Sequence, residues 1–274
     1  DENWSDTYFE GWKKLRKLRA DKNSNRDFNF DIIMANPPFA GDVKESRILA
    51  KYDLSRTATL EKLKNVPKGS KTVVGEPTFT DALNNDGETV YQMSDGTFRK
   101  TKLKQATNMS RDILFVERNL DFLKPGGRMA IVLPQGRFNN SSDKSLREYI
   151  ADRCRILAIV GLHGNVFKPH TGTKTSVLFV QKWDDELCPK VDDYNIFFAT
   201  MQEPSKDNSG DKIYRSTVDE EGNNIPLLDS HGHLIVKHDL FNHDGLTQDG
   251  IAEAFAEFAK KEHLSFFADA PLTK

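Results

Sequence analysis

Residues 30–41 read FDIIMANPPFAG, and in this stretch an apolar run ends at the tetrapeptide Asn36-Pro37-Pro38-Phe39. The run FDIIMA has the length and apolar content of a buried parallel strand. Ligands of open α/β sheets bind outside the carboxyl ends of the strands, and the tetrapeptide lies directly after such an end. The position predicts a functional turn; the simpler alternative is a tight turn that only ends a strand.

Strand and helix patterns alternate on the carboxyl side of the tetrapeptide. Residues 111–123 show helical periodicity, and the sequence KPGG at 124–127 is typical of a helix end. The spacing of Ser145 and Glu148 is that of a capping box. Apolar patterns predict strands at 128–134, 156–162, 175–182 and 196–198, and helices at 145–154 and 250–262. This order predicts an open α/β sheet whose last two core strands, joined by a short loop, are antiparallel.

The same patterns divide the chain into three parts. Residues 1–30 are predicted to form a leading amphipathic helix and a linker, because apolar residues recur there at helical spacing. Residues 31–184 are predicted to form the sheet, with a polar insertion at 42–109 that is functional or partly disordered. Residues 185–274 are predicted to form an α+β extension that ends in a helix.

Charge is unevenly distributed along the chain. The formal net charge of −2 excludes a globally basic nucleic-acid binder. Two stretches are nevertheless strongly basic: residues 13–26, and the cluster of Arg99, Lys100, Lys102 and Lys104. Each stretch predicts either contact with phosphates or a solvent-exposed face, and Lys13 and Arg16 are the candidate phosphate ligands of the first.

Other features are typical of a reduced cytoplasmic protein. Cys154 and Cys188 lie far apart and form no metal or redox motif. No apolar run approaches the ~18 residues of a membrane span, and the acidic, aromatic first residues are not a secretory signal. The histidines within 231–243 lack acidic or cysteine partners at regular ligand spacing, so no metal site is predicted.

The tetrapeptide suits methylation of an exocyclic amine. The lone pair of such an amine is delocalised into the ring, which makes the nitrogen a poor nucleophile. The side-chain oxygen of Asn36 and the carbonyl of Pro37 can accept both amino hydrogens and turn the lone pair toward a methyl donor. Two consecutive prolines, Pro37 and Pro38, fix the backbone around these acceptors. Phe39 offers a flat face for a base that has left its stack.

Three blocks of sequence carry a resemblance to a known family: residues 30–41, 111–138 and 160–182. They resemble the modification subunit of type I restriction-modification systems, an N6-adenine DNA methyltransferase. The resemblance runs from residue 7 to 263 apart from the insertion. It implies S-adenosyl-L-methionine (AdoMet) as cofactor and double-stranded DNA as substrate. It also implies assembly with a specificity subunit, which reads the DNA sequence, and with a motor-nuclease subunit.

The resemblance assigns roles to individual residues. Asn36, Pro37 and Phe39 match the catalytic motif, and the first two are also expected to form one edge of the AdoMet site. Phe167 resembles the aromatic residue that covers the other face of a flipped adenine, whereas the residues alone equally allow a core position.

One part of the family pattern is missing from this sequence. An AdoMet pocket needs a strand, a glycine-rich turn and a helix in that order, whereas KPGG at 124–127 precedes a strand and residues 170–173 open a hairpin. In the family this motif lies N-terminal to the catalytic one, and only 35 residues precede Asn36. The sequence therefore predicts the second half of a Rossmann-like class I methyltransferase sheet, in a truncated, cleaved or split subunit that is inactive alone.

Two other functions stay open at this point. The first is an inactive fragment that keeps interaction surfaces for DNA and the specificity subunit. The second is a protein-glutamine methyltransferase, since such enzymes share the tetrapeptide; the basic clusters and the three blocks disfavour it. Arg137 and Lys174 lie beside predicted strand ends and are candidate phosphate ligands, with exposed solubilising charges as the alternative.

Overall fold

The computed structural model describes residues 30–84 and 89–267. The amphipathic helix predicted within residues 1–30, and with it Lys13 and Arg16, lies outside the described residues. The strands are β1 (Phe30–Ala35), β2 (Asp42–Val43), β3 (Arg56–Lys62), β4 (Thr72–Val74), β5 (Val90–Gln92), β6 (Phe98–Gln105), β7 (Met109–Ser110), β8 (Leu123–Pro134), β9 (Cys154–Gly161), β10 (Thr175–Lys182), β11 (Phe197–Thr200), β12 (Ser216–Val218) and β13 (Asn224–Pro226). The α-helices are α1 (Ser46–Leu49), α2 (Phe79–Asn84), α3 (Arg111–Phe122), α4 (Gly136–Asn139), α5 (Lys144–Arg153) and α6 (Ile251–Lys261).

A five-stranded mixed sheet with the order β1-β8-β10-β9-β11 forms the centre of the molecule. β1 is parallel to β8, β11 is parallel to β9, and β10 is antiparallel to both of its neighbours. The carboxyl ends of β1, β8, β9 and β11 therefore share one edge of the sheet. The predicted α/β class and the predicted antiparallel strand are confirmed. β11 follows the domain boundary predicted at 184, yet it completes the central sheet.

The main core lies between this sheet and the helices α3 and α5. Because side chains alternate along a strand, Met129, Ile131 and Leu133 of β8 point to the same face, where each is at most 2% exposed. Val116 and Leu120 of α3 pack against them. Burying each aliphatic side chain of this kind contributes roughly 1.5–3 kcal/mol. The opposite face is covered by α6, where Phe255 and Phe197 of β11 meet edge to face with ring centroids 5.5 Å apart.

The polar insertion is a folded subdomain. β2 and β7 pair at its base, and β3, β6, β5 and β4 form a four-stranded sheet in that order. The subdomain is fixed to α3 by Glu117, whose two carboxylate oxygens accept the backbone N–H groups of Asp53 and Leu54, each at 2.8 Å. Burial raises the pKa of Glu117, while those two hydrogen bonds oppose the rise. The insertion is therefore attached to the helical layer at its base and along its side.

The helix predicted at 111–123 ends where expected, but the glycines that follow it play another part. α3 ends at Phe122 and β8 begins at the next residue, so the glycines of KPGG lie inside a strand instead of ending the helix. A Cβ atom on Gly127 would lie 2.8 Å from the carbonyl oxygen of Lys124 and 3.0 Å from that of Phe30. The close approach of β1 and β8 therefore requires glycine at this position.

The predicted capping box at Ser145 and Glu148 is not formed. α5 already begins at Lys144, and Glu148 Oε2 accepts the N–H of Phe79 at 2.9 Å instead. Phe79 opens α2 of the insertion. A tertiary contact has replaced the local one, because the carboxylate satisfies an otherwise unpaired donor at the start of another helix.

One strand of the central sheet exposes apolar side chains. β1 is the last strand of the sheet on its side, within the described part of the chain. Its residues Ile33 and Ala35 pack on the main core. Its other face carries Phe30, Ile32 and Met34, which are 48%, 57% and 83% exposed.

Candidate active site

The tetrapeptide lies at the carboxyl edge of the sheet, directly after β1. The side chain of Asn36 is exposed, whereas Pro37 is buried and Phe39 is half-buried. The ring of Pro37 is buried and its φ angle is restricted, so the backbone of the turn is rigid. The side-chain amide of Asn36 projects from this rigid turn. The structure therefore places a hydrogen-bond acceptor at the edge where ligands of open α/β sheets bind.

Phe39 meets Phe167 across this edge. Phe167 lies in the loop between β9 and β10, and the two rings are perpendicular (interplanar angle 89°) with centroids 5.6 Å apart. Two parallel rings that enclose a base would stand about 7 Å apart, twice the ~3.5 Å contact distance of carbon atoms. The present arrangement is a closed pair of aromatic rings, which must separate and turn to admit a base.

The loop that carries Phe167 is held from the C-terminal side of the chain. Asn165 Nδ2 donates to the carbonyl of Lys206 at 3.0 Å, and Lys206 Nζ donates to the carbonyl of Lys168 at 2.7 Å. These two bonds flank Phe167 in sequence and fasten both sides of its turn. The position of the second aromatic ring thus depends on Lys206, in the segment that follows β11.

Arg137 has partners that argue against the predicted phosphate contact. Its Nε and Nη2 donate to the two oxygens of Asp112 at 2.8 and 2.9 Å, Nη2 also donates to Ser110 Oγ at 2.9 Å, and Nη1 donates to Asp143 at 3.2 Å. Burial disfavours the charge of Arg137, but the hydrogen bonds and charges of Asp112 and Asp143 prevail and raise its pKa. All three guanidinium nitrogens are engaged, so Arg137 joins α4 to the start of α3 instead of facing solvent.

Sequence reasoning missed Asp112, although a signal was present. Asp112, Val116 and Leu120 lie four residues apart and therefore share one face of α3. The two apolar residues are buried, and Asp112 is 0% exposed. An acid on the buried face of an amphipathic helix needs a buried cation, and Arg137 supplies it.

Lys174 lies directly before β10, at the carboxyl edge of the sheet. Its side chain is exposed, and its backbone carbonyl accepts the N–H of Gln135 at 2.9 Å. This bond joins the start of β10 to the end of β8 at the carboxyl edge. An exposed ammonium group in this position is compatible with phosphate contact.

The glycine-rich stretches of the described residues do not form the strand, turn and helix that an AdoMet site needs. Gly126 and Gly127 lie at the amino end of β8, opposite the edge that carries Asn36, and Gly172 lies in a hairpin loop. A cleft of about 510 Å³ does open at the carboxyl edge between α4 and β11, lined among others by Gln135 and Thr200. Its lining within the described chain contains no acidic residue to bind ribose hydroxyls.

Residues 30–84 and 89–267 bring two histidines together, but they form neither a metal-binding cluster nor a membrane-spanning helix. The Nε2 atoms of His238 and His243 lie 3.0 Å apart, but no group of three or more potential ligands is assembled there or elsewhere in that part of the chain. None of the helices within those ranges has the length and apolar character needed to cross a bilayer.

Comparison with known proteins places the chain in a family. A family model described as N-6 DNA Methylase matches residues 49–221. The methylase subunit of the type I restriction enzyme EcoEI of Escherichia coli is 33% identical over 89 residues, which are 32% of this chain and 18% of that protein. The EcoKI methylase subunit of Escherichia coli strain K12 is 26% identical over 128 residues, which are 44% of this chain and 21% of that protein. The alignments thus span about a fifth of the length of these relatives.

Two solved structures are similar to parts of this chain. The M protein of the type I restriction enzyme EcoKI is 29% identical with a TM-score of 0.26, over 27% of this chain and 16% of that one. A chain from a type I restriction-modification system is 15% identical with a TM-score of 0.34, over 90% of this chain and 39% of that one.

The resemblance to type I modification subunits seen in the sequence is confirmed by the curated relatives. The family match covers more than half of the 274 residues, and the chain belongs to the N-6 DNA Methylase family.

Proposed function

We propose that this chain holds the target base in an AdoMet-dependent DNA adenine-N6 methyltransferase, the modification subunit of a type I restriction-modification system. The contact between Phe39 and Phe167 carries the proposal. It joins the tetrapeptide after β1 to a loop that follows β9, at the edge of the sheet where ligands bind. Two aromatic rings beside an exposed amide suit a planar base that has been taken out of the duplex.

The role of the chain in the reaction would be to orient the target adenine. Asn36 Oδ1 and the Pro37 carbonyl would accept the two hydrogens of the adenine amino group and direct its lone pair away from the ring. Phe39 and Phe167 would hold the base by stacking once the rings separate. AdoMet, when bound, supplies an electrophilic methyl group. The match to the family begins at residue 49, after the tetrapeptide, so the role of Asn36 rests on its position and its chemistry.

The substrate and partners follow from the named relatives. Those relatives are methylase subunits of type I restriction enzymes. By this likeness we propose double-stranded DNA as substrate and assembly with a specificity subunit and a motor-nuclease subunit in the cytoplasm. Lys174 is the proposed phosphate ligand beside the target base, since its side chain is exposed next to the site.

The direct test is methyl transfer from radiolabelled AdoMet by the subunit that contains this chain. Duplex DNA and a glutamine-containing peptide are offered as alternative acceptors, and the product nucleosides are identified by mass spectrometry. N6-methyladenine is the expected product. Label in the peptide alone would establish that the chain belongs to a protein-glutamine methyltransferase. Transfer to neither acceptor would support the alternative of an inactive fragment that keeps only interaction surfaces.

The 274-residue chain alone is expected not to bind AdoMet in the micromolar range. The reason is that the exposed edge at Asn36 and Pro37 offers few contacts without a glycine-rich turn and the helix that follows it. Isothermal titration calorimetry measures this directly, with the complete subunit as the positive control. Tight, stoichiometric binding by the chain alone would require a cofactor pocket and would contradict the half-sheet interpretation.

The two aromatic faces are expected to act on the flipped base and not on duplex binding. Phe39→Ala and Phe167→Ala should each lose about 1–3 kcal/mol of stacking, whereas Phe→Tyr at either position should be tolerated. The measurement is the emission of 2-aminopurine at the target position, which should rise when a quenching ring is removed. Should Phe167→Ala instead lower stability by about 3–5 kcal/mol and reduce every activity together, Phe167 is a core residue.

A further inference from the structure

Three lysines of the insertion point to one side of its sheet. Lys100, Lys102 and Lys104 alternate along β6, and alternate residues of a strand share a face. Arg99, the fourth member of the basic cluster in the sequence, points to the other face and pairs with Asp95 at 3.2 Å. The strand register places the three lysines opposite Glu61, Thr59 and Thr57 of β3. We call these three lysines the lysine face.

The lysine face is the outer side of the insertion. On the opposite side of the same sheet, Ala58 packs against the main core, and Thr101 is only 6% exposed. Lys102 and Lys104 are exposed to solvent. At β3 and β6 the sheet therefore turns Ala58 and Thr101 toward the core, and it turns Lys102 and Lys104 outward.

Positive charge is concentrated in the two stretches that contain β3, β4 and β6. Residues 56–74 and 98–105 together contain nine basic side chains and one acidic one, a net charge of +8 in a chain whose total is −2. The rest of the chain is therefore net negative by ten charges. Such a separation produces a local positive field that the overall charge conceals.

The single acid of these stretches does not neutralise the lysines. Glu61 Oε1 accepts a hydrogen bond from Lys102 Nζ at 2.7 Å. That bond, together with the charges of Lys102 and Lys104, lowers the pKa of Glu61, so the carboxylate stays ionised. One carboxylate faces three ammonium groups, and an exposed ion pair is weak enough to be exchanged for another anion.

The insertion begins and ends beside the candidate active site. β2 begins at Asp42, close after Phe39, and β7 leads directly into α3. Arg111, the first residue of α3, donates its N–H to the carbonyl of Gly41 at 3.2 Å. The subdomain that carries the lysine face is thus joined at its base to the turn that would hold the target base.

We propose that the lysine face binds the phosphate backbone of duplex DNA away from the target base. The proposal rests on the proposed function, because it takes DNA as the substrate. Lysine ammonium groups and threonine hydroxyls such as that of Thr57 are common ligands of phosphate oxygens, and they carry no sequence information. The surface therefore adds affinity and orientation, and leaves sequence reading to other residues.

The test compares two charge-matched triple variants of the chain. Lys100, Lys102 and Lys104 are replaced by glutamine in one, and Lys212, Lys260 and Lys261, which are exposed elsewhere, in the other. Binding to a fluorescent duplex is followed by anisotropy over a salt series. The lysine-face variant should lower the slope of log K against log salt concentration by about 3, because each phosphate-binding lysine contributes about 1. The control variant should keep the wild-type slope, and melting curves verify that both are folded.

The outcomes separate this inference from the proposed function. A wild-type slope in the lysine-face variant overturns the inference, and so does an equal loss in both variants, which would reflect total charge alone. Failure of the wild-type chain to bind duplex DNA at low salt also overturns it. If the slopes change as expected but the complete subunit does not methylate DNA, the lysine face stands as a DNA-binding surface and the proposed enzymatic function fails.

Discussion

Asn36→Ala is expected to slow adenine methylation at least about a hundredfold in the subunit that contains this chain. The change removes one of two acceptors aimed at the amino group, a transition-state contact of about 3 kcal/mol or more. The Pro37 carbonyl remains, so AdoMet affinity should change little. Single-turnover methyl transfer gives the rate, and calorimetry on the same subunit gives the cofactor affinity.

Two further variants define what the experiment reports. Asn36→Asp keeps an acceptor oxygen and should retain more activity than the alanine variant. Asn65→Ala removes an exposed asparagine of the insertion and should leave the rate unchanged. A rate for Asn36→Ala within tenfold of the wild-type rate would refute the assigned role, and an equal loss in Asn65→Ala would point to a general defect.

Asp112→Ala is expected to lower the free energy of unfolding by about 3–5 kcal/mol, as does breaking other buried ion pairs. Asp112 is 0% exposed and accepts two hydrogen bonds from Arg137. Its removal leaves a half-buried guanidinium with only Asp143 as a charged partner. Urea denaturation measures the loss, and Asp185→Ala at an exposed position should change stability by no more than about 0.5 kcal/mol.

The same experiment bears on the role of Arg137. Asp112→Asn keeps the shape and one acceptor, so it should lose less stability than Asp112→Ala. If Asp112→Ala costs less than about 1 kcal/mol, the value typical of exposed ion pairs, the guanidinium is free enough to leave its partner and phosphate contact becomes tenable again. A large loss assigns Arg137 to holding the start of α3 and, through Arg111 and Gly41, the turn after Phe39.

The central sheet could be predicted because its strands are marked by apolar runs. β1 and β10 have the bounds expected from FDIIMA at 30–35 and TSVLFVQK at 175–182. The strands of the insertion could not be predicted in the same way. β6 reads FRKTKLKQ, and its inward side carries little apolar area beyond Leu103. Its strand conformation depends on pairing with β3 and on docking against the helices, which are tertiary effects.

The candidate active site, like the fold, was only partly predictable from the sequence. Phe39 and Phe167 could be expected near each other because each follows a parallel strand, and the carboxyl ends of such strands meet at one edge. The surroundings of Arg137 could not be foreseen, since its partners Asp112 and Asp143 come from two other elements. A position beside a strand end predicts that a residue lies at the carboxyl edge of the sheet. Only packing decides whether a charged side chain there faces a ligand or a buried carboxylate.

The exposed side of β1 has a consequence for how this chain behaves when it is purified. A strand at the limit of a sheet offers its backbone donors and acceptors as a template for another strand, and exposed apolar side chains favour such addition. Within the described residues β1 lies at the limit of the central sheet. Its side chains Ile32 and Met34 are apolar and exposed. Concentrated preparations are therefore expected to self-associate through strand addition, at a rate that rises with concentration.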